Sequence, residues 1–174
     1  IKGYTVDGHD YAQNAIEAGA TVIVTERELS LQGNAAQVIV ENTERALGLL
    51  AAKFFDYPSN ELVMIGVTGT NGKTSTTYLM KSILDRVGGK VGIVGTIENR
   101  IGDKILKAER TTPESKELQA LFRQMQEEDV TDVVMEVSSH SLDLHRVDGI
   151  AFDVAIFTNL TQDHLDYHKT MEEY

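Results

Sequence analysis

I-G-V-T-G-T-N-G-K-T-S-T, running from Ile65 to Thr76, joins an apolar run to a helical pattern through a glycine-rich turn. The apolar run, Leu62 to Val67, reads as a strand, and the helix starts at Thr74. Gly69 and Gly72 let the backbone take φ > 0 and come close to a ligand. The helix behind them offers unpaired N–H groups and the positive end of its dipole, which together seat a phosphate. Lys73 can then reach β/γ-phosphates and the Thr74 hydroxyl can bind Mg²⁺. The strict pattern G-x-x-x-x-G-K-S/T needs glycine at position 67, where this chain has Val67. The motif is therefore a variant, G-T-N-G-K-T. An ordinary strand-turn-helix corner is the plainer alternative, but strand, glycines, lysine and threonine arrive in the order that phosphate binding requires.

The chain around this corner has 174 residues, enough for one ordinary domain or two small ones. It is 41% apolar and 25% charged, in the range of soluble globular proteins. Acidic residues (27) outnumber basic ones (16), for a formal charge of -11. An acidic body argues against a nucleic-acid or membrane surface, so an anionic substrate has to be held by local groups. No cysteine is present, which excludes disulfides and thiolate metal sites and is compatible with a reducing compartment. No apolar run has transmembrane length and no signal peptide is recognisable. The chain opens on Ile1 and stops at Tyr174 inside a starting helical pattern, so both ends are expected to be cut from a longer protein.

Upstream of the corner, Lys2 to Tyr11 reads as a loop and Tyr11 to Ala18 as an alanine-rich helix stopped at Gly19. Ala20 to Thr25 is β-branched and reads as a buried strand, with a second strand at Gln37 to Val40. Asn42 or Thr43 caps a helix through Phe55, with Ala46, Leu49, Leu50, Lys53 and Phe54 at near-helical spacing. Pro58, Ser59 and Asn60 break the chain, giving expected domains over 1–60 and 61–174. Downstream, the helix from Thr74 to Val87 is expected to turn Tyr78, Leu79, Ile83 and Val87 inward. Lys90 to Gly95 is the next strand, and Thr96 to Ala108 reads as a hairpin around Gly102-Asp103. Thr112 as N-cap and Pro113 at the first helical position predict a helix to about Glu128. Asp132 to Val137 is a buried strand, Ser138 to Leu144 a short helix, and Asp153 to Phe157 a last strand. The expected fold is α/β: a small N-terminal α/β domain, then a P-loop-type, mostly parallel sheet with helices on both faces.

In such sheets ligands collect at the carboxyl ends of the strands. Glu136 ends the strand T-D-V-V-M-E and can bind Mg²⁺ directly or through water; a capping acid is the alternative. Asn159 ends the next strand, followed by T-Q-D-H-L-D-Y-H, which carries Asp163, His164 and Asp166 to the same edge. On periodicity alone His164 is a surface histidine, and neither cysteine nor H-E-x-x-H spacing supports zinc. In S-S-H-S-L-D-L-H-R, the polar groups past the strand end, Ser138 and Arg146 among them, can grip a carboxylate or phosphate, or simply cap a helix.

Four blocks taken together, V-T-G-T-N-G-K-T, T-T-P-E, M-E-V-S-S-H-S-L-D-L-H-R-V and F-T-N-L-T-Q-D-H-L-D-Y-H, resemble the Mur ligase family of peptidoglycan synthesis, and the opening I-K-G-Y-T-V-D-G-H-D-Y resembles its first domain. G-T-N-G-K-T alone leads only to the superfamily, which includes folylpolyglutamate synthetases. The resemblance implies an ATP-dependent ligase that adds a third amino acid, meso-diaminopimelate before L-lysine, to UDP-N-acetylmuramoyl-L-alanyl-D-glutamate through an acyl phosphate. It implies ATP and Mg²⁺ as cofactors, with Gly69, Thr70, Asn71, Gly72, Lys73, Thr74, Ser75 and Thr76 on the ATP phosphates. Lys73, Glu136 and His164 are then catalytic, with Thr74, Glu136 and His164 on the metal. Thr111, Thr112, Ser138 and Arg146 grip the nucleotide-sugar peptide, while Tyr4, Thr5 and Val6 contact its uridine diphosphate end. Arg110 stands where the family often has Asn, and Leu144 where it has a polar residue, so neither is placed in the site. The family also carries a carbamylated lysine shortly after this block, expected beyond Tyr174, and a C-terminal amino-acid-binding domain. The implied setting is cytoplasmic, with a monomer acting on small molecules and no nucleic acid or membrane as partner. Without the other blocks, a P-loop NTPase or kinase, or a nucleotide-binding module without catalysis, remains open.

Overall fold

A computed structural model describes residues 1–3 and 5–174. Its contacts divide the chain into two compact units, Ile1–Leu47 and Gly48–Tyr174.

In the first unit a 3₁₀ turn over Gly8–Tyr11 leads into α1 (Ala12–Glu17), and β1 (Val22–Thr25) pairs in parallel with β2 (Ala36–Ile39). The strand expected to be buried is mostly not: only Thr25 of β1 is covered, and Val22, Val38 and Ile39 are exposed. A two-stranded sheet has too little cover for both faces. Polar ties hold this unit. Asp7 accepts from the His9 backbone N–H and from His9 Nδ1, and His9 Nε2 accepts from the Glu26 N–H at 3.0 Å. These partners fix the buried ring as the Nδ1–H tautomer. Glu26 Oε1 in turn accepts from the Thr43 N–H (2.9 Å) and hydroxyl (2.7 Å). Thr43 opens α2 (Thr43–Phe54), so a carboxylate sits at that helix's positive end.

The two units meet in sequence inside α2, before Pro58–Asn60. The helix's second half buries Ala51 and Ala52, and a Cβ on Gly149 would come within 2.9 Å of the Ala52 methyl. Leu49, Leu50 and Phe54, expected to lie on the helix's apolar face, are exposed instead. Pro58 and Ser59 are buried in a 3₁₀ turn, Pro58–Glu61, that feeds the main sheet.

That sheet is built from β3 (Val63–Thr68), β4 (Val91–Val94), β5 (Glu98–Ile101), β6 (Lys104–Lys107), β7 (Asp132–Glu136) and β8 (Val154–Phe157). Their spatial order is β6-β5-β4-β7-β3-β8. β4, β7, β3 and β8 run parallel, while β5 and β6 extend one edge as an antiparallel hairpin turning at Gly102. Period-two alternation sends side chains to opposite faces. Ile65 and Val67 of β3, Val91 and Val134 pack with Met80 and Leu84 of α3 (Lys73–Arg86). Met64, Val94, Val133 and Met135 pack with Leu118, Phe122 and Met125 of α4 (Ser115–Glu127) on the other face. The expected mostly parallel sheet with helices on both faces is what forms.

Two helices depart from their sequence reading. Leu79, Ile83 and Val87 are 65%, 57% and 79% exposed, and Thr77, Met80 and Leu84 face the sheet instead. The glycine corner sets the azimuth at which α3 leaves β3, and that overrides the more apolar stripe. α4 begins two residues past Pro113, with Glu114 as N-cap and its N–H given to Glu117 Oε2 at 3.2 Å. Thr112 is not the cap because its hydroxyl is used elsewhere, donating to the Glu136 carbonyl at 2.8 Å.

Gly69 has φ +123°, and a Cβ there would lie 2.2 Å from Thr158 Oγ1 and 2.8 Å from Asn159 O. Its close neighbour is thus the chain's own β8 end. Gly72 has φ +87° with nothing within 4 Å of a built Cβ. Gly72→Ala should therefore cost only the positive-φ penalty, about 1 kcal/mol, and Gly69→Ala about 2–4 kcal/mol, adding the clash. Urea denaturation of the two variants checks the order; equal losses would mean that the β8 end yields freely. The Thr43 hydrogen bonds hold the Glu26 carboxyl below its ordinary value of 4.5. A depressed carboxyl adds stability that is complete above that value and lost as the pH falls through the lowered one. Glu26→Gln keeps an acceptor for Thr43 but not the titration, so the fall of Tm from pH 6 to pH 3 should become shallower than in the parent. An unchanged slope would remove Glu26 from the acid response.

Candidate active site

Glu136 closes β7 on the face that also carries Val134, the face covered by α3. In register it lies opposite Val67, the penultimate residue of β3. Its carboxylate therefore meets the start of α3, where the Thr74 hydroxyl donates to Glu136 Oε2 at 2.9 Å. The carboxylate is 1% exposed. Two further donors come from the end of β4: the Thr96 N–H to Oε1 (2.9 Å) and the Thr96 hydroxyl to Oε2 (3.1 Å). Such close approach leaves no room at Gly95, where a Cβ would fall 2.4 Å from Glu136 Oε1.

The phosphate corner is tied across to β8. The Thr70 N–H donates to Asn159 O (2.9 Å) and the Asn71 N–H to Asn159 Oδ1 (3.1 Å). Asn159 Nδ2 and the Thr158 hydroxyl both donate to Asn71 O. The first bond inside α3 runs from the Thr76 N–H to Gly72 O, so the N–H groups of Lys73, Thr74 and Ser75 have no partner within the helix. Lys73 Nζ folds back over the loop and donates to Gly69 O (2.7 Å) and Thr70 O (3.1 Å).

Lys73 also lines a cavity of about 320 Å³ with Arg110, Thr111, Thr112, Ser138, His140, Arg146 and His164. Phosphate-corner lysine and the expected peptide-gripping residues thus share one wall. Ser138 caps α5 (Ser139–Asp143), its Oγ accepting from the Ser141 N–H at 3.2 Å. Arg146 Nη1 donates to Thr112 O at 3.3 Å, and Nη2 pairs with Glu114 at 2.9 Å. Thr111 Oγ1 is 3.0 Å from Thr96 Oγ1.

His164 caps α6 (Leu165–His168) with φ +53°. Its ring sits edge-on to His140 at 4.9 Å, and His140 also meets Tyr167 (4.1 Å) and His168 (5.6 Å). Burial first, then the neighbouring His164 and His168, push His140 below its ordinary 6.5. Among the described residues no three His, Cys, Asp or Glu side chains group as a metal cage. Thr5 and Val6 are exposed in the first unit, where Val6 O accepts from the Gly3 N–H (2.9 Å), and Tyr4 lies outside the described residues.

Three residues were missed in the sequence. Thr96 follows a strand end and was discoverable by the same rule as Glu136. His140 stands two residues past Ser138 in an already polar block. Arg110 was set aside because the family often has Asn at its position, yet it lines the same cavity.

The Mur ligase middle domain matches residues 67–174, and the Mur ligase family catalytic domain matches residues 1–55. Over its whole length the chain is 53% identical to UDP-N-acetylmuramoyl-L-alanyl-D-glutamate--2,6-diaminopimelate ligase of Caldanaerobacter subterraneus subsp. tengcongensis, covering 36% of that protein. It is 55% identical to a ligase of the same description, numbered 1, from Clostridium acetobutylicum, again over 36% of that protein. A solved structure of UDP-N-acetylmuramoyl-L-alanyl-D-glutamate--2,6-diaminopimelate ligase superposes with a TM-score of 0.78 at 28% identity, over 95% of this chain and 33% of that one. The chain spans about a third of the length of these relatives. With matched domains covering both of its units, the chain belongs to the Mur ligase family.

Proposed function

We propose that this chain carries the nucleotide-phosphate and acceptor-binding parts of an ATP-dependent ligase that joins meso-diaminopimelate to UDP-N-acetylmuramoyl-L-alanyl-D-glutamate. The supporting observation is that Lys73, Thr111, Thr112, Ser138 and Arg146 all line one cavity. A reaction between two anions needs such a shared space. The identity to diaminopimelate ligases favours meso-diaminopimelate over L-lysine as the added amino acid. Residues 1–60 serve as the uridine-diphosphate end, with Tyr4, Thr5 and Val6 in contact, and residues 61–174 as the ATP-binding part. The setting is the cytoplasm, and the working unit is a monomer.

A carboxylate is a poor electrophile. In the proposed reaction the D-glutamyl side-chain oxygen attacks the γ-phosphorus of ATP, forming an acyl phosphate and releasing ADP. The incoming amine then displaces inorganic phosphate and loses a proton, leaving the amide. Lys73 and the unpaired N–H groups at the start of α3, from Lys73 to Ser75, hold the phosphates, with Gly69 to Gly72 shaping the loop and Thr76 opening the helix ladder. Thr111, Thr112, Ser138 and Arg146 orient the acceptor so that its carboxylate faces the γ-phosphate.

Thr74 Oγ1 and the Glu136 carboxylate are adjacent hard oxygen donors, the type Mg²⁺ takes alongside water and phosphate oxygens. They fit that ion, and His164, which lines the cavity with Lys73, is the third ligand in this reading. When bound, Mg²⁺ supplies charge neutralisation of the triphosphate.

A coupled phosphate-release assay on the intact protein, with ATP, the UDP-sugar dipeptide and a panel of diamino acids, tests this reading. Release should require all three substrates, prefer meso-diaminopimelate and stop with EDTA. Lys73→Ala and Glu136→Gln should each lower kcat by about 10²–10³. ATP turnover indifferent to the dipeptide would instead identify an NTPase and sink the ligase.

A further inference from the structure

Arg110 borders two cavities at once. It lines the wall it shares with Lys73 and Arg146, and it also edges a groove of about 580 Å³ between the β5–β6 hairpin and α4. Its Nη1 is paired with Glu114 Oε1, and that same oxygen takes Arg146 Nη2 at 2.9 Å. Glu114 lines the groove but not the smaller cavity, so one carboxylate holds two guanidiniums from behind the wall. Glu114 is itself fixed, since it is the N-cap of α4 and its N–H is bound by Glu117. The triplet of two cations and one anion keeps one net positive charge. A guanidinium has five N–H donors, and among the described residues Arg110 spends them only on Glu114. Its remaining fork suits a planar carboxylate better than a point cation would.

We propose that Arg110 is an acceptor-binding residue that takes the carboxylate of the D-glutamyl group which does not react, and that Glu114 is the positioning residue setting it beside Arg146. The proposal rests on the ligase reading above. An acceptor with two carboxylates must have one held still so that the other is aimed at phosphorus. Lys73 and the helix start serve the phosphate side, which leaves this pair of guanidiniums for the bystander.

Steady-state kinetics on the intact protein test it. Arg110→Gln should raise KM for the UDP-sugar dipeptide about tenfold, the value of one charge-assisted hydrogen bond. kcat should fall as well, because the reacting carboxylate is aimed less well, while KM for ATP and melting temperature should change little. Arg110→Lys should recover part of the loss, because charge returns without the fork. Glu114→Gln should raise the same KM by a smaller factor and add little in the Arg110→Gln background, since it acts partly through Arg110. An unchanged dipeptide KM in Arg110→Gln overturns the proposal while leaving the ligase reading intact, and so does an equal rise in KM for ATP. Absence of ligation by the parent protein overturns both.

Discussion

A buried carboxylate organises this fold. Glu136 is almost wholly removed from water, and an unpaired charge there would cost several kcal/mol. Its donors come from the start of α3 and from the end of β4, and its own carbonyl is taken by Thr112 ahead of α4. One residue, through its side chain twice and its carbonyl once, therefore ties three connections to one strand end. Thr96 extends the tie, because its hydroxyl also meets Thr111. The start of α3 and the Thr111–Thr112 segment border a common cavity, and both are fastened to the same residue.

The lysine beside this knot is held differently. Lys73 Nζ sits on two loop carbonyls, Gly69 O and Thr70 O. Hydrogen bonds from an ammonium to neutral carbonyls are weaker than those to a charged phosphate oxygen. In the proposed reaction, a triphosphate at the α3 N-terminus would offer the lysine a better partner without requiring the backbone to move. The loop backbone is meanwhile fixed from β8, through Thr158 and Asn159, so that lysine rotation is the cheap adjustment and loop rearrangement the costly one.

The order of strands and helices in the second unit was legible because each strand ended in a turn signal and each helix had a start. Glu136 was legible for the same reason: a hydrophobic run that ends on an acid places it at a strand's carboxyl end. Helix faces were not. Leu79, Ile83 and Val87 form the more apolar stripe of α3, yet Thr77, Met80 and Leu84 lie inward, because the helix phase is inherited from a tertiary corner. The start of α4 was misplaced because Thr112 has two uses for its hydroxyl, and a hydrogen bond to a residue 24 positions away prevails over the local cap. Arg110 was set aside on its residue type alone. Its significance lies in sharing Glu114 with Arg146, and a one-dimensional pattern does not carry that coincidence.

Charge decides how such a cavity works in an acidic protein. The chain's formal charge of -11 repels anionic substrates at long range. Attraction has to come from within the cavity, where Lys73, Arg110 and Arg146 are the cationic side chains on the wall. His140 is on that wall too. His140 is held below its ordinary range by burial first and then by two imidazole neighbours, which disfavours its cationic form. Its ring then serves as a packing surface and a dipole against His164 and Tyr167. The Debye screening of about 8 Å at physiological salt confines the wall's attraction for anions to ligands already at the cavity mouth.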